Sequence, residues 1–291
     1  MAHVIQLAIS TCPNDTFAFH AILERRIDLH GLAFEIHLMD IEQLNQGFSR
    51  GDFDVCKVSF VAAMAEAARC VVMPAGAALG FGVGPVLLAN RPATLESLAE
   101  RARATGPIEV ACPGQWTTAT FLCQTLLPFS IVPRQMPFSE IMPAVAAGQV
   151  PLGVCIHEGR FTWQDRGLAW VADLGTLWET RTGSPLPLGG IVARRDLGTA
   201  LLSQVATVIR ASVEFGLAHR EETLPTLRRY AQEFTDEVLL QHVDLYVNAW
   251  TVDLGTAGRN ALRTMQAFAT KVYPEWSAPL EVLDLPPMRG D

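Results

Sequence analysis

A histidine follows an apolar run in the stretch from Leu152 to Phe161. Residues 152–156 predict a buried strand, and the polar turn 157–160 ends it abruptly. In α/β proteins the carboxyl ends of parallel strands face the ligand crevice, so a histidine at this point lies where chemistry is common. An imidazole titrates near neutral pH and can move protons, which makes His157 a candidate catalytic residue. A capping or core histidine, hydrogen-bonded to the turn, is the alternative.

A lysine interrupts another apolar strand, predicted over residues 54–59. Burying an ammonium group costs free energy unless the group is paired or faces a cleft. Lys57 can therefore contact a ligand at the end of this strand, where Ser59 also lies. Alternatively, Lys57 forms a salt bridge with a nearby acid such as Asp54 or Asp15, and the residue types alone favour neither explanation.

Two polar turns lead into predicted helices. The turn before a helix offers unpaired backbone N–H groups and the positive end of the helix dipole, which suit a carboxylate. One turn contains Asn14 and Asp15, and the other runs from Gly114 to Thr117 and Thr118, whose hydroxyl groups add two donors. Ordinary helix capping explains Asn14 or Asp15 equally well. Capping explains the second turn less well, because a glycine there also lets a ligand approach the backbone.

Strands and helices follow one another along much of the chain, which predicts an α/β fold. The predicted strands cover residues 4–10, 34–39, 54–59, 86–89, 108–111, 152–156, 168–173 and 191–193. The predicted helices cover residues 16–26, 41–50, 61–69, 95–104, 117–127 and 141–147, and residues 199–268 are helical with breaks near Pro225 and Gly255. The expected N-caps are Asn14 or Asp15, Thr94 and Ser139, and the expected helix-ending glycines are Gly51 and Gly148.

Two parts of the chain repeat the same order of elements. A strand, a Cys-Pro pair, a polar turn and a helix over residues 4–23 recur over residues 108–127. A helix, a glycine and a strand also recur, and a constant shift of 97 residues pairs Gly51 with Gly148. This repetition predicts two similar α/β lobes that offer the same elements to a central cleft.

The lobe boundaries follow from this repetition. We assign residues 1–91 and 189–291 to lobe one and residues 92–188 to lobe two, with two strand-like hinge crossings. The glycine-rich loop 80–85 lacks the GxGxxG spacing of a nucleotide site and opens no helix, so hinge or cleft wall is the better interpretation. Residues 186–190 form a second candidate hinge, and such crossings permit closure on a ligand.

Composition limits the possible partners. The 291-residue chain carries a net charge of −8 and has no run of lysine or arginine, which argues against nucleic acid. The six cysteines form no CxxC pair and no zinc-site spacing, so reduced structural thiols are expected, although a nucleophilic role stays open. No signal peptide and no membrane-spanning apolar run is evident, and we expect a cytoplasmic protein.

Five motifs in order resemble the 1,4-dihydroxy-6-naphthoate synthase family of the futalosine route to menaquinone. The resemblance covers residues 5 to about 200. The motifs are Ser10-Thr11-Cys12-Pro13-Asn14-Asp15-Thr16-Phe17, Asp54-Val55-Cys56-Lys57-Val58-Ser59-Phe60, Pro113-Gly114-Gln115-Trp116-Thr117-Thr118, Ile156-His157-Glu158-Gly159-Arg160-Phe161 and Leu186-Pro187-Leu188-Gly189-Gly190.

The resemblance implies a type 2 periplasmic-binding-protein fold, with two α/β lobes around a central cleft. It also implies a lyase that cuts cyclic dehypoxanthine futalosine to 1,4-dihydroxy-6-naphthoate, with no metal and no organic cofactor. His157 would be the proton acceptor, and Lys57, Ser59, Thr117 and Thr118 would line the substrate site. Glu158 or a backbone carbonyl would orient the imidazole.

Two features depart from the family's pattern. The usual acidic residue before the histidine-bearing strand is replaced by Pro151, which should affect the turn and not the chemistry. The glycine loop carries Phe81 and Val83 where the family's pattern leads us to expect more polar neighbours.

Three other functions fit parts of this pattern. A non-catalytic receptor for a small acid would share the fold, but His157 and the missing signal peptide count against it. A chorismate dehydratase-type enzyme of the same route would also share the fold, but the histidine motif and the paired threonines favour the naphthoate synthase. A ligand-sensing regulatory domain would need a DNA-binding or partner segment, and none is evident. The oligomeric state and the orientation of the substrate are not predicted.

Overall fold

The computed structural model describes residues 4–156, 159–231 and 235–284. The strands are β1 Val4–Ser10, β2 Ala33–Met39, β3 Val55–Ser59, β4 Cys70–Val72, β5 Ala78–Gly80, β6 Val86–Ala89, β7 Ile108–Cys112, β8 Ile131–Gln135, β9 Leu152–Cys155, β10 Ala169–Asp173 and β11 Leu186–Arg194. The helices are α1 Pro13–Ala18, α2 His20–Leu23, α3 Ile41–Arg50, α4 Phe60–Ala65, α5 Leu95–Thr105, α6 Thr118–Leu126, α7 Phe138–Ala146, α8 Gly159–Thr162, α9 Leu174–Thr182, α10 Thr199–Ala218, α11 Arg220–Tyr230, α12 Asp236–Tyr246, α13 Ala249–Val252 and α14 Gly255–Ala269.

The chain divides into two compact units. Unit 1 comprises Met1–Leu79 and Pro187–Asp291, and unit 2 comprises Gly80–Leu186. The first change of unit falls inside β5 and the second inside β11. The sequence analysis assigned residues 1–91, which include β6, to the first lobe. In the structure the first change of unit comes before β6, so β6 lies in unit 2.

Unit 1 is built on a mixed sheet with the strand order β2-β1-β3-β11-β4, and β5 also pairs with β11. β1 pairs in parallel with β2 and β3, whereas β11 runs antiparallel to β3 and β4. The carboxyl ends of β1 and β3 therefore lie side by side, and they carry Ser10 and Ser59. These two ends position the first candidate site.

Helix α10 covers the core of unit 1. Leu202, Val205, Ile209 and Val213 of this helix are buried in one apolar cluster with Ile5, Leu7 and Ile9 of β1. By length and composition alone, α10 is the helix among the described residues that could cross a membrane. An apolar face packed on the unit's own sheet is typical of a core helix.

Unit 2 contains a five-stranded sheet with the order β10-β6-β9-β7-β8. β7 pairs in parallel with β8 and β9, and β6 runs antiparallel to β9 and β10. The order β8-β7-β9-β6 therefore repeats the order β2-β1-β3-β11 of unit 1, with the same strand directions. This shared topology explains why the sequence repeats a strand, a turn and a helix at long range.

Several predicted helix ends match the structure. The Thr94 hydroxyl caps α5 by accepting a hydrogen bond from the Ser97 amide at 3.2 Å. Gly51 ends α3 with a φ of 84°, a left-handed conformation that suits glycine. Gly148, which follows α7, has a φ of 69°.

Two predicted caps are wrong. α1 begins at Pro13 with Cys12 as its N-cap, so Asn14 and Asp15 lie inside its first turn and do not cap it. α7 begins at Phe138 with Pro137 as its N-cap, and no side chain caps it. Ser139 is therefore not a cap, and Pro143 lies inside the helix. In both cases a proline restricts the backbone at the helix start.

Candidate functional site

A buried ion pair in unit 1 joins β3 to α1, the helix that follows β1. Lys57 of β3 contacts the Asp15 carboxylate of α1, and the two residues are 4% and 3% exposed. Of the two acids that the sequence offered, Asp15 is therefore the partner of Lys57. Asp54 instead accepts a hydrogen bond from the Gln6 amide at 2.9 Å and lies 3.6 Å from Arg194.

The Asp15 carboxylate also accepts hydrogen bonds from two neutral donors. Ser10 Oγ, at the end of β1, donates to Oδ2 at 2.6 Å, and Asn14 Nδ2 donates to Oδ1 at 2.9 Å. A buried charge is tolerated when it is paired and hydrogen-bonded, and Asp15 meets both conditions. We call Ser10, Asn14, Asp15 and Lys57 the strand-end cluster.

Ser59 is held by a residue that the sequence analysis did not include. The Ser59 amide donates to Asn45 Oδ1 at 2.9 Å, and Asn45 Nδ2 donates to Ser59 Oγ at 3.2 Å. Asn45 lies on the buried face of α3 between Leu44 and Phe48. A polar residue on an apolar helix face is the signal that could have identified it.

Two glycines bring β11 close to the end of β3. Gly189 pairs with Ser59, and Gly190 pairs with Val58. A Cβ on Gly189 would lie 2.6 Å from the Val58 carbonyl oxygen and 3.5 Å from Lys57 Cε. Gly189 is therefore required by the close approach of two backbones beside Lys57, whereas a Cβ on Gly190 would lie 2.6 Å from the Phe60 ring.

The paired threonines lie at the start of α6 in unit 2. Thr117 is the N-cap, and its Oγ1 accepts from the Thr120 amide at 3.3 Å and donates to the Gly114 carbonyl at 2.8 Å. Thr118 is the first residue of the helix, and both threonines are buried. The Thr117 hydroxyl thus has a structural role, and contact of Thr117 or Thr118 with a substrate stays a prediction.

The candidate catalytic histidine, His157, and its neighbour Glu158 lie outside the described residues. The chain before them forms β9, which ends at Cys155, and the chain after them begins α8 at Gly159. β9 is a buried strand between β6 and β7, as the apolar run predicted.

The segment after His157 is held by Arg160. Its guanidinium pairs with Asp173 at 2.6 Å and donates to the Gly84 carbonyl at 2.6 Å. Asp173 in turn caps α9 by accepting from the Gly175 and Thr176 amides. The glycine loop is therefore fixed to this network within unit 2, while Phe81 in the same loop is 55% exposed.

Most of the cysteine thiols are buried, which makes them poor candidates for a nucleophile. All six cysteines are described, and none forms a disulfide. Burial raises the pKa of Cys70 to about 12 and also raises the pKa values of Cys56 and Cys123. The Cys123 thiol hydrogen-bonds to Cys112 and lowers the pKa of Cys112, which is itself fully buried. These positions favour a structural role.

Within the described ranges, no group of three or more histidine, cysteine, aspartate or glutamate residues could hold a metal ion.

Solved structures confirm the predicted fold. A crystal structure of an Archaeoglobus fulgidus protein superposes with a TM-score of 0.85 at 29% identity, over 94% of this chain and 98% of that one. The periplasmic aliphatic sulphonate binding protein of Escherichia coli gives a TM-score of 0.66 at 15% identity, over 100% of this chain and 95% of that one. The second likeness shows that the chain has a periplasmic-binding-protein-like fold, and it shows the fold alone.

Sequence comparison supplies the family. A profile described as menaquinone biosynthesis matches residues 5–271. A curated 1,4-dihydroxy-6-naphthoate synthase from Thermus thermophilus is 42% identical, over 91% of this chain and 93% of its own. Another protein of that name, from Streptomyces coelicolor, is 41% identical, over 90% of this chain and 91% of its own. The resemblance carried by the five motifs is confirmed, and the chain belongs to the menaquinone biosynthesis family.

Proposed function

We propose that this chain is a 1,4-dihydroxy-6-naphthoate synthase, a carbon–carbon lyase. It would cleave cyclic dehypoxanthine futalosine to 1,4-dihydroxy-6-naphthoate and a sugar-derived fragment. One observation carries this proposal: two curated synthases of this name match at 41% and 42% identity, each over at least nine tenths of this chain. A cytoplasmic location and action without a cofactor stay predictions.

The strand-end cluster supports recognition of an acidic group. An ammonium group has three N–H donors, and Asp15 accepts from Lys57. The remaining donors of Lys57 suit the carboxylate that the naphthoate product carries. Ser59, at the end of the same strand, adds a hydroxyl group that Asn45 holds in place. We assign Lys57 and Ser59 to substrate binding, and Asn14 and Asp15 to the support of Lys57.

His157 is the proposed proton acceptor. It would remove a proton from the sugar-derived part of the substrate, and the electron pair left behind would drive cleavage of a carbon–carbon bond. The ring system would become aromatic as this bond breaks, which favours the forward reaction. A base with a pKa near the working pH suits this step. Thr117 and Thr118 are the proposed contacts to the substrate from unit 2.

The test is turnover of cyclic dehypoxanthine futalosine by the purified protein, with the naphthoate product followed by absorbance and mass. His157→Gln should lower kcat by about two to four decades, the range for loss of a general base. His30→Gln, at an exposed position, is the matched control and should turn over like the wild type. Near-normal turnover in His157→Gln would exclude His157 as the base. Tight binding without product in the wild type would instead indicate a receptor for a small acid.

A further inference from the structure

His242 is a buried histidine that neither the motifs nor the proposed function includes. It lies on α12 and is 1% exposed. Its neighbours Leu239 and Val243 pack with Phe17 of α1 in an apolar cluster of unit 1. The positions 239, 242, 243 and 246 follow the helical repeat of an inward face, so the sequence of α12 directs His242 toward α1.

The His242 ring is hydrogen-bonded to the strand-end cluster. His242 Nε2 lies 2.9 Å from Asn14 Oδ1, although 228 positions separate the two residues. Asn14 Nδ2 in turn donates to Asp15 Oδ1 at 2.9 Å. A line of hydrogen bonds therefore runs from His242 through Asn14 to Asp15, which contacts Lys57.

The chemistry of these groups fixes the direction of the line. An ionised carboxylate only accepts hydrogen bonds, so the amide nitrogen of Asn14 must face Asp15 and its oxygen must face His242. His242 Nε2 must then carry a hydrogen and donate it. The flipped Asn14 amide would place an oxygen against the Asp15 carboxylate and an N–H₂ group against the Nε2–H group. The Asp15 carboxylate thus fixes the orientation of the Asn14 amide, and the hydrogen bond from His242 Nε2 holds the amide in that orientation.

We propose that His242 is a positioning residue for Lys57, acting through Asn14 and Asp15. This inference rests on the proposed function in one respect, which is that Lys57 binds the acidic group of the substrate. Without His242 the Asn14 amide is released, Asp15 loses a fixed donor, and the Lys57 ammonium is held less precisely. The ground state and the transition state both use this contact, so KM rises while kcat changes little.

The test compares three variants. His242→Phe keeps the volume of a ring but removes the donor, and His242→Gln returns an N–H group of similar reach. His20→Phe is the matched control, because His20 is a buried histidine of the same unit whose Nδ1 lies 2.8 Å from Thr226 Oγ1 of α11. Each of the two ring replacements removes a buried hydrogen bond, so a fall in melting temperature is expected for both His242→Phe and His20→Phe.

The expected kinetic signature is specific to His242. His242→Phe should raise KM about tenfold and should change kcat by no more than about a factor of two. A tenfold loss of affinity corresponds to a modest free energy, as expected when a single charged contact is held less precisely. His242→Gln should recover most of the loss, and His20→Phe should leave KM unchanged. An equal rise of KM in His242→Phe and His20→Phe would overturn the proposal, and so would a failure of His242→Gln to recover KM.

Two measurements without turnover separate this inference from the proposed function. Long-range ¹H–¹⁵N spectra of the wild type should show His242 with hydrogen on Nε2 at neutral pH, and an Nδ1–H tautomer would overturn the hydrogen-bond line. Crystal structures should show displaced Asn14 and Lys57 side chains in His242→Phe but not in His20→Phe. An unmoved Lys57 in His242→Phe would overturn the positioning role. A wild type that forms no naphthoate while passing both measurements would overturn the proposed function alone.

Discussion

Asn45 and Ser59 hold each other through two hydrogen bonds. The Ser59 amide donates to Asn45 Oδ1 at 2.9 Å, and Asn45 Nδ2 donates to Ser59 Oγ at 3.2 Å. One bond fixes the backbone at the end of β3, and the other fixes the hydroxyl group. This pair shows that the helix packed against the strand determines the geometry of the proposed substrate contact.

Replacing Asn45 with alanine should therefore affect both stability and substrate binding. Loss of the acceptor for a buried amide costs about 1–3 kcal/mol of unfolding free energy. KM should rise because the Ser59 hydroxyl loses its fixed orientation. Denaturant unfolding and steady-state kinetics measure the two effects. Gln46→Ala, at an exposed position of the same helix, is the control, and an equal loss of stability in both variants would contradict a special role for Asn45.

Removing Lys57 should destabilise unit 1 strongly. Lys57→Met leaves the buried Asp15 carboxylate without its ammonium partner, which costs about 3–5 kcal/mol. Combining it with Asp15→Asn removes both charges and should return most of the unfolding free energy without restoring turnover. Denaturant unfolding of the two single variants and the double variant gives the coupling free energy.

The surface pair of Arg228 and Asp236 provides the control for this cycle. Both side chains are about half exposed, so Arg228→Met should change the unfolding free energy little. A loss in Lys57→Met no larger than in Arg228→Met would show that Asp15 and Lys57 are not a buried ion pair in solution.

Local patterns predicted much of the fold. Apolar runs predicted β1, β3, β7 and β9, because a buried strand shows itself as a run of apolar residues that are neighbours in the sequence. The short strands β4, β5 and β8 were missed. A three-residue strand offers too few positions for a pattern, and β8 carries a proline and is largely exposed.

The candidate site was less accessible from sequence than the fold. Asn14 and Asp15 were expected either to bind a carboxylate or to cap a helix, yet their side chains bond to His242 and Lys57. A contact between residues that are far apart in the sequence produces no pattern in the residues next to either partner, so local patterns cannot predict it. The choice of Asp15 over Asp54 for Lys57 also depended on which strand ends are adjacent, and this is a property of the sheet order.

The stability of the protein should fall as the pH drops below neutrality, in part because of His20. Burial lowers the pKa of His20 from its usual 6.5. The unfolded chain therefore binds a proton at a higher pH than the folded chain does. The stabilisation is fully present above pH 6.5 and is lost as the pH falls through the lower pKa of the folded state.

Urea unfolding between pH 7.5 and pH 5.5 checks this expectation, within about one unit on either side of the ordinary pKa of histidine. His20→Asn keeps a polar atom near Thr226 and removes the titrating group, so the unfolding free energy should vary less with pH in this variant. His30→Asn, at an exposed position, is the control for replacing a histidine with asparagine. A His20→Asn curve parallel to that of the wild type would assign the pH effect to other groups.

Gly84 should tolerate no side chain, because it lies against the backbone of α9. A Cβ on Gly84 would lie 2.1 Å from the Gly175 nitrogen and 2.3 Å from its Cα, and neither atom can move without shifting the helix. The Gly84 carbonyl also accepts from Arg160, which lies three positions after the proposed base. Gly84→Ala should therefore lower the unfolding free energy by about 3 kcal/mol, at the upper end for overpacking, and should lower turnover as well.

Gly82→Ala separates close approach from backbone strain. Gly82 has a φ of 69°, but a Cβ there would meet nothing within 4 Å. A left-handed alanine costs about 1–2 kcal/mol, so Gly82→Ala should be the milder of the two substitutions. Denaturant unfolding of both variants makes the comparison. Equal losses would mean that the glycine loop is set by its backbone conformation, and a larger loss at Gly84 would mean that contact with α9 holds the loop in place.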